Sequence, residues 1–335
     1  MIFEYFFSNP WVVLVFKLAA IFLFFLTAPL VIGYVEHKTL AHMQARLGPM
    51  EAGRYHGWAQ LVADGVKFIQ KEDIIPSAAD RWIFSIAPGV VLVPVILVFL
   101  VLPFGPGPGG HPNAGFWGEN LDLGLFFALA ITAISVIGML MAGWSSANKF
   151  ALIGAMRGAA QLIAYELPLV LAASSVAMQA GSVSLVTIGA QQQHLWYLFP
   201  QIGGFVIFLI ASLAELSRPP FDMPIADSEI IFGHMTEYTG IRFALFLLAE
   251  YAGIISLSAI ATVLYLGGWH NFLIPGIPGP LWTLAKVGIL SFFVIWLRAT
   301  YPRLREDQLQ KMAWKYLIPL ALLQILLTGI FKVVF

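Results

Sequence analysis

Apolar runs of roughly twenty residues recur along this chain, and each is long enough to cross the hydrocarbon core of a bilayer as a helix. Eight are legible, at about 11–35, 83–103, 121–143, 150–178, 202–218, 241–267, 281–300 and 312–334. Inside lipid a backbone must satisfy its own hydrogen bonds, so each run is expected to be a helix. The expectation is therefore an all-α polytopic membrane protein, with residues 1–335 forming a single integral membrane domain. Composition agrees: 59% of the residues are hydrophobic and 11% charged, where a soluble domain carries about 25% charged residues. Mean hydropathy is +0.84. The third run holds Thr132 and Ser135, whose short hydroxyls can bond a backbone carbonyl. The fifth is short and ends in charge. The first apolar run is too long for a signal-peptide core and lacks a small-residue cleavage pattern, so no removable leader is expected.

Between the first two runs lies WAQLVADGVKFIQ, residues 58–70. Trp58, Leu61, Val62, Gly65, Val66, Phe68 and Ile69 interleave there with Asp64, Lys67 and Gln70, the pattern of a helix lying along the interface. Lysine and arginine set the orientation. They crowd the segments after runs one, three, five and seven, and are missing from the loops after runs two, four and six. The rich segments are expected to face the cytoplasm or a mitochondrial matrix. Eight spans then put both termini on the outer side. Two outer loops are rich in glycine and proline, at 103–115 and 275–280. The first lacks the Gly-Lys-Ser/Thr ending of a phosphate loop, and is expected to be a stiff connection.

Several chemistries are excluded. The chain has no cysteine, hence no disulfide, thiolate zinc site, cysteine-ligated iron–sulfur cluster or catalytic thiol. Its seven histidines are scattered, and no metal site is expected. A net charge of zero leaves no nucleic-acid footprint. Any electron carrier must sit on another chain.

What remains is charge where charge is expensive. An ionised group at the bilayer centre costs on the order of 2.5–3.5 kcal/mol on insertion scales. Glu166 lies inside the fourth run, Glu250 inside the sixth, Glu215 at the end of the fifth, Lys286 in the seventh and Lys17 in the first. Lys17 can snorkel outward, and Lys286, roughly 9 Å down its helix, is within reach of doing so. Glu215 and Arg218, three apart, can pair on one helical face. Glu166 and Glu250 have no partner within a turn, and Tyr165 and Tyr251 stand beside them as potential donors. Buried carboxyls take up protons near neutrality, as a relay requires. Between runs five and six, AELSRPPFDMPIADSEIIFGHMTEY adds Asp222, Asp227, Glu229 and Glu237. Pro219 and Pro220 forbid a continuous helix, so these acids are expected on an irregular cytoplasmic loop. There they can form a like-charge cluster sensitive to a nearby charged or redox-active ligand, or simply bind a partner.

Five stretches carry a family resemblance: GYVEHKTLAHMQARLGP (33–49), ADGVKFIQKEDIIP (63–76), ALIGAMRGAAQLIAYELPL (151–169), the acidic stretch running on into GIRFALFLLAEY, and LRATYPRLREDQLQKMAWK (297–315). Together they resemble the membrane heel subunit of proton-pumping respiratory complex I, the NADH:quinone oxidoreductase, and they cover nearly the whole chain in order. The resemblance implies eight spans and an interfacial helix around a quinone-access chamber, in a bacterial inner or mitochondrial inner membrane. It implies no covalently bound cofactor here, quinone as substrate, and iron–sulfur clusters and flavin on partner subunits. The implied partners are the hydrophilic arm, including the iron–sulfur subunit beside the quinone site, and small and antiporter-like membrane subunits. Glu166, Glu215, Asp222, Asp227, Glu229 and Glu250 match its proton-coupling acids; Glu237 and Lys286 are grouped with them. Gln44, Arg46, Arg218, Arg298 and Arg303 match chamber and loop-anchoring residues, and Leu247 and Leu248 are added as chamber wall.

The chain departs from the family pattern in places. Glu36-His37-Lys38 stands where Glu-Arg-Lys is usual, and Ser217 stands where asparagine commonly precedes the arginine. Ile225 replaces one acid of the usual Pro-Glu-Ala-Glu-Ser-Glu, which shifts weight to Asp227 and Glu229. His37 can titrate where an arginine would not. Rival readings are the homologous membrane arm of an energy-converting hydrogenase, a stand-alone proton-coupled transporter and a passive anchor. A transporter predicts inverted repeats and helices broken at mid-membrane, whereas the main break here lies at the membrane face.

Overall fold

A computed structural model describes residues 10–106, 115–271 and 277–334, with the side chains of Pro10, Asp227 and Ser228 outside that description. Residues 107–114 of the first glycine–proline loop and 275–276 of the second therefore lie outside the described residues. Among the described residues the chain is helical and holds no strand. In order run α1 (Pro10–Met43), α2 (Gln60–Gln70), α3 (Arg81–Val101), α4 (Gly124–Ser145), α5 (Lys149–Ala180), α6 (Leu185–Gln191), α7 (Ile202–Glu215), the single turn α8 (Asp227–Ile230), α9 (Gly240–Tyr265), α10 (Gly279–Thr300), α11 (Glu306–Lys311) and α12 (Ile318–Val334). A π-helical turn, Met312–Leu317, joins the last two. Seven helices or helical runs are long and apolar enough to cross a membrane, so this is a polytopic all-α membrane protein.

The fifth expected span differs. Run 202–218 is helical only over the 14 residues of α7, about 21 Å at 1.5 Å per residue, against a core of about 30 Å. Helical geometry ends at Glu215, because Ser217 takes φ 50 ahead of the proline pair. α1 errs the other way: it continues past residue 35 through Glu36, His37 and Lys38 to Met43, since charge ends a lipid-facing stretch without ending a helix. α6 was not expected; at 7 residues it leaves no periodic signal.

α5 and α9 occupy the centre: 56% of the most apolar window of each is buried, against 11% for α1. α3, α10 and α1 pack around α9, and α4, α7 and α12 around α5. α5 turns small residues inward, among them Gly154, Ala155, Gly158, Ala159, Ala172 and Ala173. With no hydrophobic drive between helices in lipid, such residues let backbones approach closely. Asp80 caps α3 by accepting from the amides of Trp82 and Ile83 at 3.2 and 3.4 Å. Asn148 caps α5 by accepting from Phe150 N at 2.8 Å. Toward the other end of α5, Gln201 donates to Gln179 and Thr328 at 2.8 and 2.9 Å. It accepts from Ser175 and Gln324 at 3.1 and 2.6 Å, tying α5, α7 and α12 with neutral amides and hydroxyls.

The segment between α7 and α9 is seated on α5 through Gly154, where an added Cβ would lie 2.6 Å from Gly233 Cα. Backbone cannot give way as a side chain can. Gly154→Ala is expected to cost about 1–3 kcal/mol and to lift residues 222–239, seen as faster amide exchange there in the purified protein. Unchanged exchange would contradict so close a seat.

Candidate functional site

Four elements distant in sequence bring charge together at one buried place. Glu36 comes from α1, Arg218 from the loop after α7, Glu250 from α9 and Arg298 from the last turn of α10. Arg218 lies 3.2 Å from Glu36 and 2.9 Å from Glu250, and Arg298 reaches the same Glu36 oxygen as Arg218 does. Glu36 and Arg218 are 1% and 4% exposed, so neither charge could stand alone in such a setting. The Arg218 guanidinium also lies over the Tyr251 ring, 4.7 Å from its centroid, a favourable placement for a cation on an aromatic face.

This arrangement corrects two sequence expectations. Arg218 does not pair with Glu215: the left-handed backbone at Ser217 takes the arginine off the α7 face. The neighbouring tyrosines do not serve Glu166 and Glu250. Tyr165 donates to Leu309 O at 2.9 Å, and Tyr251 lies under Arg218.

A cavity of about 110 Å³ adjoins the ion pairs, with Glu215, Ser217, His234, Glu250, Ser256 and Thr132 on its wall. Glu215 is near enough to Glu166 for their charges to interact. Glu166 faces a second cavity of about 580 Å³ between α4 and α5, lined chiefly by apolar side chains.

Two of the loop acids, Glu229 and Glu237, are held by different partners. Glu229 lies between two arginines, 2.6 Å from Arg157 and 3.6 Å from Arg303. The Arg157 hydrogen bond, with the two positive charges, holds its carboxyl below the usual carboxylate range. It is therefore ionised at neutral pH, and half-exposed. Arg157 also reaches Glu306 at 3.6 Å, and Arg303 donates to the Asp222 backbone carbonyl at 3.3 Å. Glu237 sits apart, accepting from the Asn148 side chain at 2.5 Å. Asp227 opens the single turn α8, with its side chain outside the described residues.

Other expected site residues fall elsewhere. Gln44 and Arg46 lie just past α1, exposed and bonded to one another at 2.8 Å. Leu247 and Leu248 are half-buried on α9, Leu248 against the main core. Lys286 neither snorkels nor meets an acid. Its ammonium donates to the carbonyls of Leu266, Gly268 and His270 at 2.7, 2.8 and 2.8 Å and lies 4.6 Å from the Trp196 ring centroid. These carbonyls follow the last turn of α9, where backbone acceptors lack helical partners and the helix dipole is negative. Lys286 caps α9 from α10 and does not join the acids.

Sequence reasoning left Glu36, Arg157 and His234 out of the site. In the sequence Glu36 stands only as part of a motif, and Arg157 only within the stretch 151–169. Among the described residues no group of three or more metal-ligating side chains forms.

Fold and site together define a polytopic α-helical membrane protein that keeps paired charges in its interior. The chain belongs to the NADH dehydrogenase family, whose model matches residues 16–329. It is 45% identical over 298 residues to the H subunit of the NADH-quinone oxidoreductase of Geobacillus kaustophilus, covering 89% of this chain and 87% of the relative. It is 44% identical to the H subunit numbered 2 of the Geobacter metallireducens enzyme, covering 96% of this chain and 95% of the relative. With the corresponding H subunit of Bacillus mycoides the identity is 43%, over 96% and 94%. It is thus a membrane subunit of an oxidoreductase complex and not an enzyme by itself.

Proposed function

We propose that this chain walls the quinone-access chamber of a proton-translocating NADH:quinone oxidoreductase and couples quinone reduction to proton movement. The observation that carries the reading is the ion-pair chain Arg298–Glu36–Arg218–Glu250, buried at Glu36 and Arg218, which ends on the cavity shared by Glu250 and Glu215. Quinone enters from the lipid between α1, α9, α10 and the interfacial helix α2, its tail along apolar side chains such as Leu247 and Leu248. Its head reaches the cytoplasmic face, where a partner subunit's iron–sulfur cluster supplies electrons that originate at a flavin elsewhere in the hydrophilic arm. Small and antiporter-like membrane subunits continue the path. Both termini lie on the outer side of a bacterial inner membrane.

Electrons arriving on quinone leave its head short of an equal number of protons, and so transiently negative. That charge competes with Glu36 and Glu250 for Arg218. As the Arg218–Glu250 pair loosens, Glu250 binds a proton, and the change passes to Glu215 and Glu166. Glu229, fixed between Arg157 and Arg303, holds the loop in place and is not a proton carrier. Glu250→Gln keeps the shape of the side chain and removes its charge. In the assembled complex it is expected to lower proton movement coupled to quinone reduction by roughly 10²-fold, the low end for loss of a proton-transfer group. Wild-type coupled turnover would count against the reading.

A further inference from the structure

His234 is the one charged or titratable wall residue of the 110 Å³ cavity that no step above uses. It lies on the 3-10 turn Gly233–Met235, is 6% exposed, and has the Phe246 ring edge-on with centroids 5.5 Å apart. Among the described residues its Nδ1 has no hydrogen-bond partner, and the same holds for Glu215 Oε2 and Ser217 Oγ. All three belong to residues on the wall of this one cavity. A buried polar atom without a partner costs on the order of 1–3 kcal/mol. Three of them, from α7, from the second residue past it and from the loop turn, surround space for roughly three waters at ~30 Å³ each. Water with several polar partners is the occupant that such a wall fits.

We propose that His234 is a positioning residue: with Ser217 Oγ and Glu215 Oε2, its Nδ1 holds water in this cavity and thereby joins Glu215 to Glu250. A proton leaving one carboxyl passes to the water as an equivalent proton leaves the water for the other carboxylate, so no charge remains on the solvent. Burial pushes the imidazole down to about 4, so the ring is neutral at physiological pH and sets no second cation beside Arg218. The inference rests on the acidic-path reading and adds a member that contributes hydrogen bonding without charge.

The test uses the whole complex carrying His234→Leu or His234→Gln. His234→Leu is expected to lower the rate of proton movement coupled to quinone reduction by about tenfold, the scale of one lost buried hydrogen bond. It should also abolish the D₂O-sensitive carboxyl bands in redox-induced infrared difference spectra. His234→Gln, which keeps a polar atom there, should restore much of both. A leucine variant with wild-type coupling and bands overturns the proposal. If that happens while Glu250→Gln uncouples, only the role of His234 falls; if Glu250→Gln is also wild-type, the acidic path falls with it. Should His234→Leu fail to assemble, a high-resolution cryo-EM map of the unaltered complex decides. Water density within hydrogen-bond reach of Nδ1 supports the proposal, and a dry cavity overturns it.

Discussion

Arg218→Met is expected to remove most of the folded, incorporated subunit from the membrane. The substitution leaves the apolar stem and deletes the guanidinium that Glu36 and Glu250 share at 3.2 and 2.9 Å. Taking one partner from a buried ion pair costs about 3–5 kcal/mol, because the stranded charge is left inside the protein without its counter-ion. That is a large part of the stability of an ordinary domain. Glu36 keeps Arg298, so the loss falls chiefly on Glu250. It follows that Arg218→Met combined with Glu250→Gln should recover part of the assembled complex, since the second change removes the charge that the first exposed. The amount of assembled complex and its thermal unfolding temperature measure both. Near-normal abundance of the single variant would mean that the pairs are incidental.

The second large effect is expected at Lys286, for a different reason. Lys286→Met strips three backbone carbonyls of a shared donor. Each unsatisfied buried acceptor costs about 1–3 kcal/mol, and in lipid little else can replace the ammonium. The variant is expected to unfold at markedly lower temperature. Lys286→Arg should rescue poorly, because a planar fork cannot reach three carbonyls as a tetrahedral ammonium does. Complexes that do assemble are expected to move protons per electron as the wild type does, since the Lys286 ammonium is engaged by three carbonyls at the end of α9. Reduced coupling at unchanged stability would return Lys286 to the proton path.

The fold was legible because lipid leaves the backbone so little choice. A twenty-residue apolar run in this setting has to be a helix, and among the described residues seven helices long and apolar enough to cross a membrane lie over such runs. Errors arose where apolarity and helicity part company: at Glu36, where the helix outlasts its oily stretch, and at Leu216, where oily sequence outlasts the helix. The intramembrane acids were legible one by one, because each violates a rule of cost. Their partners were not. Glu36 and Arg218 are 182 residues apart, and spacing along one helix says nothing of a contact made across the fold. The same limit hid the partner of Glu229, which is held by Arg157, 72 residues away. His234 gave no signal, since a histidine amid glycine and methionine reads as ordinary loop.

The brevity of α7 has a further effect. A helix of 14 residues spans about 9 Å less than the hydrocarbon core, so where the chain crosses there, non-helical backbone covers the remainder. Peptide groups at that depth are tolerated only where protein roofs them over, and Phe221, Met223 and Ala226 of the stretch after α7 are all deeply buried, covered by the helices around it. Any motion of the stretch must therefore travel beneath a cover that keeps acyl chains away, which makes the surrounding helices guardians of a passage as much as walls of a bundle.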